Sequence, residues 1–477
     1  MSTVRTVFHG FESFVLVYFS VLALIYALWG YIGLRAIIVY ARDLSNTALS
    51  DLLHRDYYET VSILIPAFNE EVAIVAAVRS MLNLQHPSYE VIVANDGSTD
   101  ATLDRLIAAF DLVEVPVAHT QTIETQPVRR VFRSIRHPNF TVVDKVNGGQ
   151  ADAINAALNA AHSALVCVVD ADSALDGQAL IRASRLFVEN EDVVGVGGTL
   201  RPLNGAVVHN GQVTELRAPR RWAERVQVLE YARAFFTSRA AWSRFNALPI
   251  ISGAFGLFRR TAVVDVGGWW PGTVANDMDM TVKLHRHFRE RRQPYRIIFT
   301  PDPICWTEVP STFRGLARQR HGWARGVIEV LWQHRRMAFN PRYGRIGLFT
   351  IPYLWVFEVG AVIVETVGYA YIVASWALGL LNPTFAILFA SLAILYGIML
   401  SELAMGIETL LLARYSRFRD RAVLFVAAVI EHLGFRQVLL LVRFVAMFQV
   451  RSYRGRWWKQ DRAGYVNGTA PRERAAA

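Results

Sequence analysis

Two stretches of the 477-residue chain set carboxylates two residues apart: Val168-Val-Asp-Ala-Asp-Ser-Ala174 and Asn276-Asp-Met-Asp-Met-Thr281. Such pairs can hold a divalent cation through hard oxygens or supply a general base. The first pair closes the apolar run ALVCVVD, which reads as a strand, and on a strand side chains i and i+2 share a face. Asp170 and Asp172 can then converge on one ion or its water shell. The second pair opens MTVKLHRHFRE, which reads as a helix, where residues two apart diverge by about 200°. Asp277 and Asp279 are therefore poorly placed to share a metal. Oxygen ligands with positions left open suit Mg²⁺ or Mn²⁺ bridging phosphates. Asp277 sits at a helix N-terminus that favours its ionised form, which fits a general base and equally a cap.

The elements around these residues repeat one pattern. VSILIP (61–66) precedes AFNEE, EVIVA (90–94) precedes NDGSTD, FTVVD (140–144) precedes KVNGGQ, and ALVCVVD precedes the first aspartate pair. Helical stretches near 71–83, 101–110 and 151–161 lie between them. This βαβ alternation predicts an α/β sheet with helices on both faces, whose ligands bind outside the carboxyl ends of the strands. Asn69, Glu70, Asn95-Asp96-Gly97, Lys145 with Asn147-Gly148-Gly149, and Asp170 with Asp172 all fall at those ends. Each cluster alone is ordinary turn chemistry. Four of them at one edge of one sheet indicate a site.

The remainder is apolar. Of all residues 53% are hydrophobic and 19% charged, and residues 13–40 exceed the roughly 20 apolar residues of a bilayer crossing. They read as a retained transmembrane anchor rather than a cleaved signal peptide. Two further crossings are expected near 351–380 and 384–412, separated by Asn382-Pro383. Their Glu358, Glu365, Glu402 and Glu408 should face other helices or a cavity rather than lipid. Residues 422–450 carry Glu431, His432, Arg436 and Arg443 on one arc, which suits a helix lying in the interface. The divisions expected are an anchor (1–45), a cytoplasmic domain (55–310), an interfacial region (311–345), two transmembrane helices (346–413), and an interfacial helix with a basic tail (414–477). Arg42 and Arg55 after the first crossing, with Arg335, Arg336, Arg342 and Arg345 before the second, place the central domain in the cytoplasm. The net charge of +10 is then membrane-flanking and requires no nucleic-acid partner. Cys167 and Cys305 read as free packing thiols.

In motif order, PAFNEE, NDGSTD, KVNGGQADAINAAL, VVDADS, SGAFGLFRR, the Asn276-Asp277 step and QRHGW resemble the membrane-integrated, inverting glycosyltransferases of family 2. That group contains cellulose, hyaluronan, chitin and poly-N-acetylglucosamine synthases. The likeness runs from about Val61 through Arg325 and implies a GT-A-like mixed sheet at the inner membrane. It implies that Asp96 reads the uracil of a UDP-sugar, with Asn69, Glu70, Lys145 and Asp152 nearby. Asp170 and Asp172 would sit at the donor diphosphate with Mg²⁺ or Mn²⁺, and Asp277 would deprotonate the acceptor hydroxyl. Gln319, Arg320 and Trp323 would lie near diphosphate and acceptor.

Four departures stand out: Asn276 for an acid, Asn95 for the first of two acids, Gln150 where Lys is common, and Gly322 at the Arg of Gln-x-x-Arg-Trp. Arg318 and Arg325 flank Gly322 at i−4 and i+3 on one helical stripe, so either is expected to reach across it. The implied activity is β-linked polysaccharide synthesis. Three crossings make a lean channel, which a second copy or an accessory secretion subunit would complete. The alternatives are single addition to a membrane lipid acceptor and a catalytically weak nucleotide-sugar sensor or assembly subunit.

Overall fold

The computed structural model describes residues 2–45, 58–117, 121–209, 211–409, 415 and 417–450. Arg55, Arg414 and the basic tail from Arg451 lie outside the described residues. At the centre is β1 (Val61–Ala67), buried along its whole length and paired in parallel with β2 (Tyr89–Asn95) and β6 (Leu165–Val168). β2 pairs in parallel with β5 (Phe140–Lys145). Strands covered on both faces read as unbroken apolar runs, which is why this block is conspicuous in sequence.

Further strands widen the block into one ten-stranded mixed sheet, ordered β3-β4-β5-β2-β1-β6-β11-β8-β12-β7. β4 (Val128–Ser134) and β3 (Leu112–Val115) add antiparallel on one side. β11 (Gly256–Arg259), β8 (Val193–Pro202), β12 (Arg296–Thr307) and β7 (Ser173–Leu175) extend the other. β9 (Ala206–His209) and β10 (Gln212–Leu216) form a separate two-stranded ladder. Crossover helices Ile74–Leu82, Thr102–Phe110 and Gln150–Asn159 stand where the alternation places them. Cys167 and Cys305 are buried free thiols in the core beneath.

One geometric expectation changes. β6 ends at Val168, and Asp170 and Asp172 lie in the turn that links it to β7, where the Ser173 amide donates to the Asp170 carbonyl at 3.0 Å. Strand alternation therefore does not bring the two carboxylates together; the turn presents both to the cavity described below.

Among the described residues, four helices are long and apolar enough to cross a membrane: Phe8–Arg42, Ile346–Ala377, Pro383–Ile407 and Phe418–Phe448. The single interfacial helix expected over 422–450 is instead two segments, broken where Gly434 takes φ 110°. Its stripe of charges faces protein: Arg443 meets Glu358 at 2.5 Å and Arg436 meets Glu365 at 3.0 Å, both acids of the second apolar helix. Glu431 pairs with Arg233. The second segment packs Leu439 on Leu316, and His321 meets Gln449 at 2.7 Å, so it lies along the helix Phe313–Gln333.

Two contacts lock the sheet domain to this bundle. Arg201 at the end of β8 forks onto Glu408 of the third apolar helix, its Nη2 at 2.8 Å from Oε2. The N-terminal helix docks through Gly33 on the long helix spanning 222–244, which widens into a π turn at Ala234–Arg239. A Cβ on Gly33 would lie 2.6 Å from the carbonyl oxygens of Phe236 and Thr237, so only glycine allows this approach.

Candidate active site

A cavity of about 1020 Å³ opens at the carboxyl ends of the central strands. Phe68 and Glu70 after β1, Asp96 after β2, Asn147 to Gly149 after β5, and Asp170 to Asp172 after β6 line its floor. It passes Asp277, Gln319, Arg320 and Trp323, then continues among the apolar helices past Tyr26, Phe357, Glu365, Arg436 and Arg443.

Asp96 is the hub of the floor. Lys145 Nζ (2.6 Å) and the Gly148 amide (2.9 Å) donate to Oδ1, and Asn147 Nδ2 (3.1 Å) and the Gly149 amide (2.8 Å) donate to Oδ2. A carboxylate offers about four lone-pair sites, so all are filled. Its evident work is to build the Asn147–Gly149 turn, and a base N–H could reach it only by displacing one of these donors. Gly97 must be glycine here: its φ is +67° and a Cβ would lie 2.9 Å from the Asn147 amide.

Lys145 is fully buried and spends its three protons on Asp96, on Asp152 at 2.5 Å and on the Val146 carbonyl at 2.6 Å. Asp152 also accepts from the Gln126 amide at 3.1 Å. These two residues support the loop from behind and do not line the cavity. Asn69, with φ 57°, accepts from the Thr99 amide at 2.7 Å and ties the β1 and β2 loops together, also outside the cavity.

Asn95 explains its own departure. It donates to Asp144 at 2.8 Å, and the other Asp144 oxygen accepts from Arg130 at 3.1 Å. An aspartate at 95 would oppose that carboxylate instead of donating to it.

Asn276–Arg291 forms the helix whose first turn carries Asp277. Asp277 Oδ1 accepts from the Met278 amide at 2.8 Å and Oδ2 from the Gly253 amide at 3.1 Å. Asp279 points the other way, wholly buried against His334 at 2.9 Å. The two aspartates are thus separated as the helical geometry requires. Burial raises the Asp277 pKa, while the Met278 and Gly253 amides and the Arg239 guanidinium pull it down; the net direction is up. The helix terminus alone suggested the reverse.

Arg239 has no sequence signal. It sits at the end of the π turn, stacks on Phe235 at 4.1 Å and donates to Ser252 Oγ at 2.6 Å, beside the Gly253 that binds Asp277. Burial pushes its pKa down to about 10. Thr237 and Ser238 bond back to the carbonyls four residues earlier, at 2.6 and 3.0 Å, which accompanies the widening. Such π bulges recur at functional sites.

The helix Phe313–Gln333 contributes Gln319, Arg320 and Trp323 to the cavity. Neither Arg318 nor Arg325 reaches it: Arg325 is 1% exposed within the protein, behind the wall. The cation that this helix does present is Arg320, lying 4.1 Å over the Trp323 ring, bonded to Gln319 at 2.9 Å and paired with Glu230. The same helix props the loop before Asp277. Glu329 accepts from Thr273 Oγ1 at 2.9 Å, and Gly326 is packed so that a Cβ would lie 2.6 Å from the Ala275 Cβ.

Asp170 and Asp172 offer hard oxygen donors at the cavity floor. Among the described residues no cluster of three or more His, Cys, Asp or Glu side chains could hold a metal by itself. Two carboxylates alone would leave most positions of a divalent ion open to phosphate and water. Gln150 Nε2 donates to Asp170 Oδ1 at 3.1 Å, and Asn276 Nδ2 donates to Gln150 Oε1 at 3.3 Å. Two of the departures noted in the sequence are thus one contact.

A mixed sheet of this order, with its polar clusters at the strand ends, is of the GT-A-like glycosyltransferase class. The profile of glycosyltransferase-like family 2 matches residues 59–326, more than half of the chain, and the chain belongs to that family. It is 29% identical over 274 residues to a poly-β-1,6-N-acetyl-D-glucosamine synthase of Staphylococcus epidermidis, covering 57% of this chain and 56% of the relative. It is 27% identical over 309 residues to the synthase of that name from Staphylococcus aureus strain COL, covering 64% of each. The matches therefore span less than two thirds of these relatives. Among solved structures, a mannosyltransferase of Pyrobaculum calidifontis in complex with GDP-Man and Mn²⁺ superimposes with a TM-score of 0.51 at 18% identity, over 87% of this chain and 99% of that one. It shares the fold.

Proposed function

We propose that this glycosyltransferase moves a sugar from a UDP-sugar to a growing β-linked polysaccharide, with inversion, at the cytoplasmic face of the inner membrane. The observation that carries this reading is the continuity of the cavity: the strand-end floor, Asp277 and the interior of the apolar helices line one space. Single addition to a lipid acceptor would call for a cleft with apolar walls, whereas this space continues past the charged Glu365 and Arg436.

In this reading the donor diphosphate lies over Asp170 and Asp172, which would hold Mg²⁺ or Mn²⁺. A bound divalent ion there neutralises charge on the departing UDP. Arg320 adds a second cation along the wall, and Trp323 offers a flat apolar face to the acceptor sugar. Asp277 takes the proton of the acceptor hydroxyl as its oxygen attacks the anomeric carbon opposite the leaving diphosphate, so an α-linked donor yields a β-linked product. Gly253 and Met278 amides fix the carboxylate, and Arg239 favours its ionised form before the acceptor arrives.

The names of the relatives make UDP-N-acetylglucosamine the first donor to try and poly-β-1,6-N-acetylglucosamine the first polymer to look for. Full-length protein in lipid nanodiscs, given a panel of UDP-sugars with Mg²⁺ or Mn²⁺, should release UDP and yield long, water-soluble, glycosidase-sensitive product. Organic-extractable product of one added sugar would replace this reading with a lipid acceptor. UDP release unaffected by Asp277→Asn and Asp172→Ala would remove the assigned chemistry altogether.

A further inference from the structure

Gln150 and Asn276 both line the cavity, one opening the helix behind the donor floor and the other opening the helix that bears Asp277. Their order is set chemically. A carboxylate only accepts, so Gln150 must turn its amide nitrogen to Asp170 at 3.1 Å, leaving its carbonyl oxygen for the Asn276 amide nitrogen at 3.3 Å. Asn276 is 6% exposed and directly precedes Asp277 in the same helical turn, so movement of one carries the other.

The chain Asp170···Gln150···Asn276 carries no charge between the two carboxylates that it joins. That neutrality matters at both ends. A lysine at 150 would set an ammonium against Asp170 and compete with a divalent cation, and a glutamate at 276 would set a like charge beside Asp277. Introduced together, the two would pair across the same gap.

The geometry points to Gln150 and Asn276 as positioning residues: a neutral link through which occupation of the Asp170 side by a cation and diphosphate sets the placement of Asp277. This rests on the donor and base assignments above. When Asp170 turns toward a bound ion, Gln150 follows its acceptor and Asn276 follows Gln150, so the base is placed when a donor is present and is less well placed for an empty site. Both amides act through neighbours and need not touch the reacting atoms.

The test uses full-length protein in nanodiscs with Gln150→Lys, Asn276→Glu, the double variant and Asp277→Asn. Mn²⁺ affinity in the presence of UDP, titrated by electron paramagnetic resonance, reads the Asp170 end without turnover. Gln150→Lys should weaken Mn²⁺ binding by roughly tenfold, the effect expected of one added charge close by. Asn276→Glu should leave Mn²⁺ binding near that of the unmodified protein while lowering kcat with little change in donor KM. The double variant should recover both. A separate double-mutant cycle with Gln150→Leu and Asn276→Leu, read on the thermal midpoint, reports the native contact itself, independently of metal. Additive losses in that cycle, or Mn²⁺ binding untouched by Gln150→Lys, would overturn the link. Turnover retained by Asp277→Asn would instead overturn the base assignment, while the cycle still reports on the link.

Discussion

Replacing Arg239 with methionine keeps an unbranched chain over the Phe235 ring, 4.1 Å from the present guanidinium carbon, and removes one charge beside Asp277. Four groups oppose the effect of burial on that carboxyl: the Met278 amide, the Gly253 amide, Arg239 and the amide of Asp277 itself, in decreasing order. The Met278 and Gly253 amides, at 2.8 and 3.1 Å, survive the substitution. Removing Arg239, the third of these four counterweights, raises the carboxyl's pKa further, because an opposite charge close by favours the ionised form. The sign follows from the role. A general base acts when deprotonated, so activity falls as pH drops through its pKa, and a further rise in that pKa moves the acid limb to higher pH. The acid limb of kcat/KM against pH for Arg239→Met should therefore move to higher pH, with the high-pH plateau retained and a loss of roughly tenfold below the limb, the low end of what one neighbouring charge is worth. A uniform loss at all pH values with the limb in place would refute this, and would mean that Arg239 serves substrate binding or local packing. Arg239→Lys, which restores charge, should recover much of the limb.

Asp277→Asn should abolish transfer with only a small change in the thermal midpoint at neutral pH, since the amide NH2 can no longer accept from one of the Met278 and Gly253 amides while the buried charge is removed. Burial raises the carboxyl's folded pKa, so it is the ionised form that the fold disfavours, and the amide removes that charge. Gly326→Leu should force the helix Phe313–Gln333 off Ala275, with a stability loss of about 1 to 3 kcal/mol and a larger fall in kcat than in donor affinity, read by thermal shift and steady-state kinetics. Glu408→Ala leaves the buried Arg201 guanidinium without its carboxylate and should destabilise by about 3 to 5 kcal/mol, whereas an Arg201→Met, Glu408→Leu pair should recover most of it.

The parallel block was legible because β1, β2, β5 and β6 are apolar along their length and end in polar turns, so both pattern and site edge showed at once. The separation of Asp277 from Asp279 followed from helical periodicity and holds in three dimensions. The outer strands were not legible: β12 shifts register between Phe299 and Ile304, around Pro301, and β8 carries three glycines, so neither looks like strand in sequence. The roles of single residues were hardest to read. Whether a lysine in a site motif faces a ligand or supports it depends on burial, and Lys145 is enclosed by its own acids. Arg325 has suitable helical spacing but turns into the core, and Arg239 owes its place to a widened turn that no periodicity reports.

The close seat of Gly33 on the carbonyls of Phe236 and Thr237 bears on how the molecule is put together. The N-terminal helix leaves the ribosome about two hundred residues before the surface that it must fit, and contacts so distant in the chain form late. Its notch at Gly33 therefore stays unfilled until the 222–244 helix arrives. An unrelated apolar helix grafted in its place would still deliver the chain to the membrane. It would leave the turn that ends in Arg239 without its keystone, so correct localisation and full activity should separate in such a chimera.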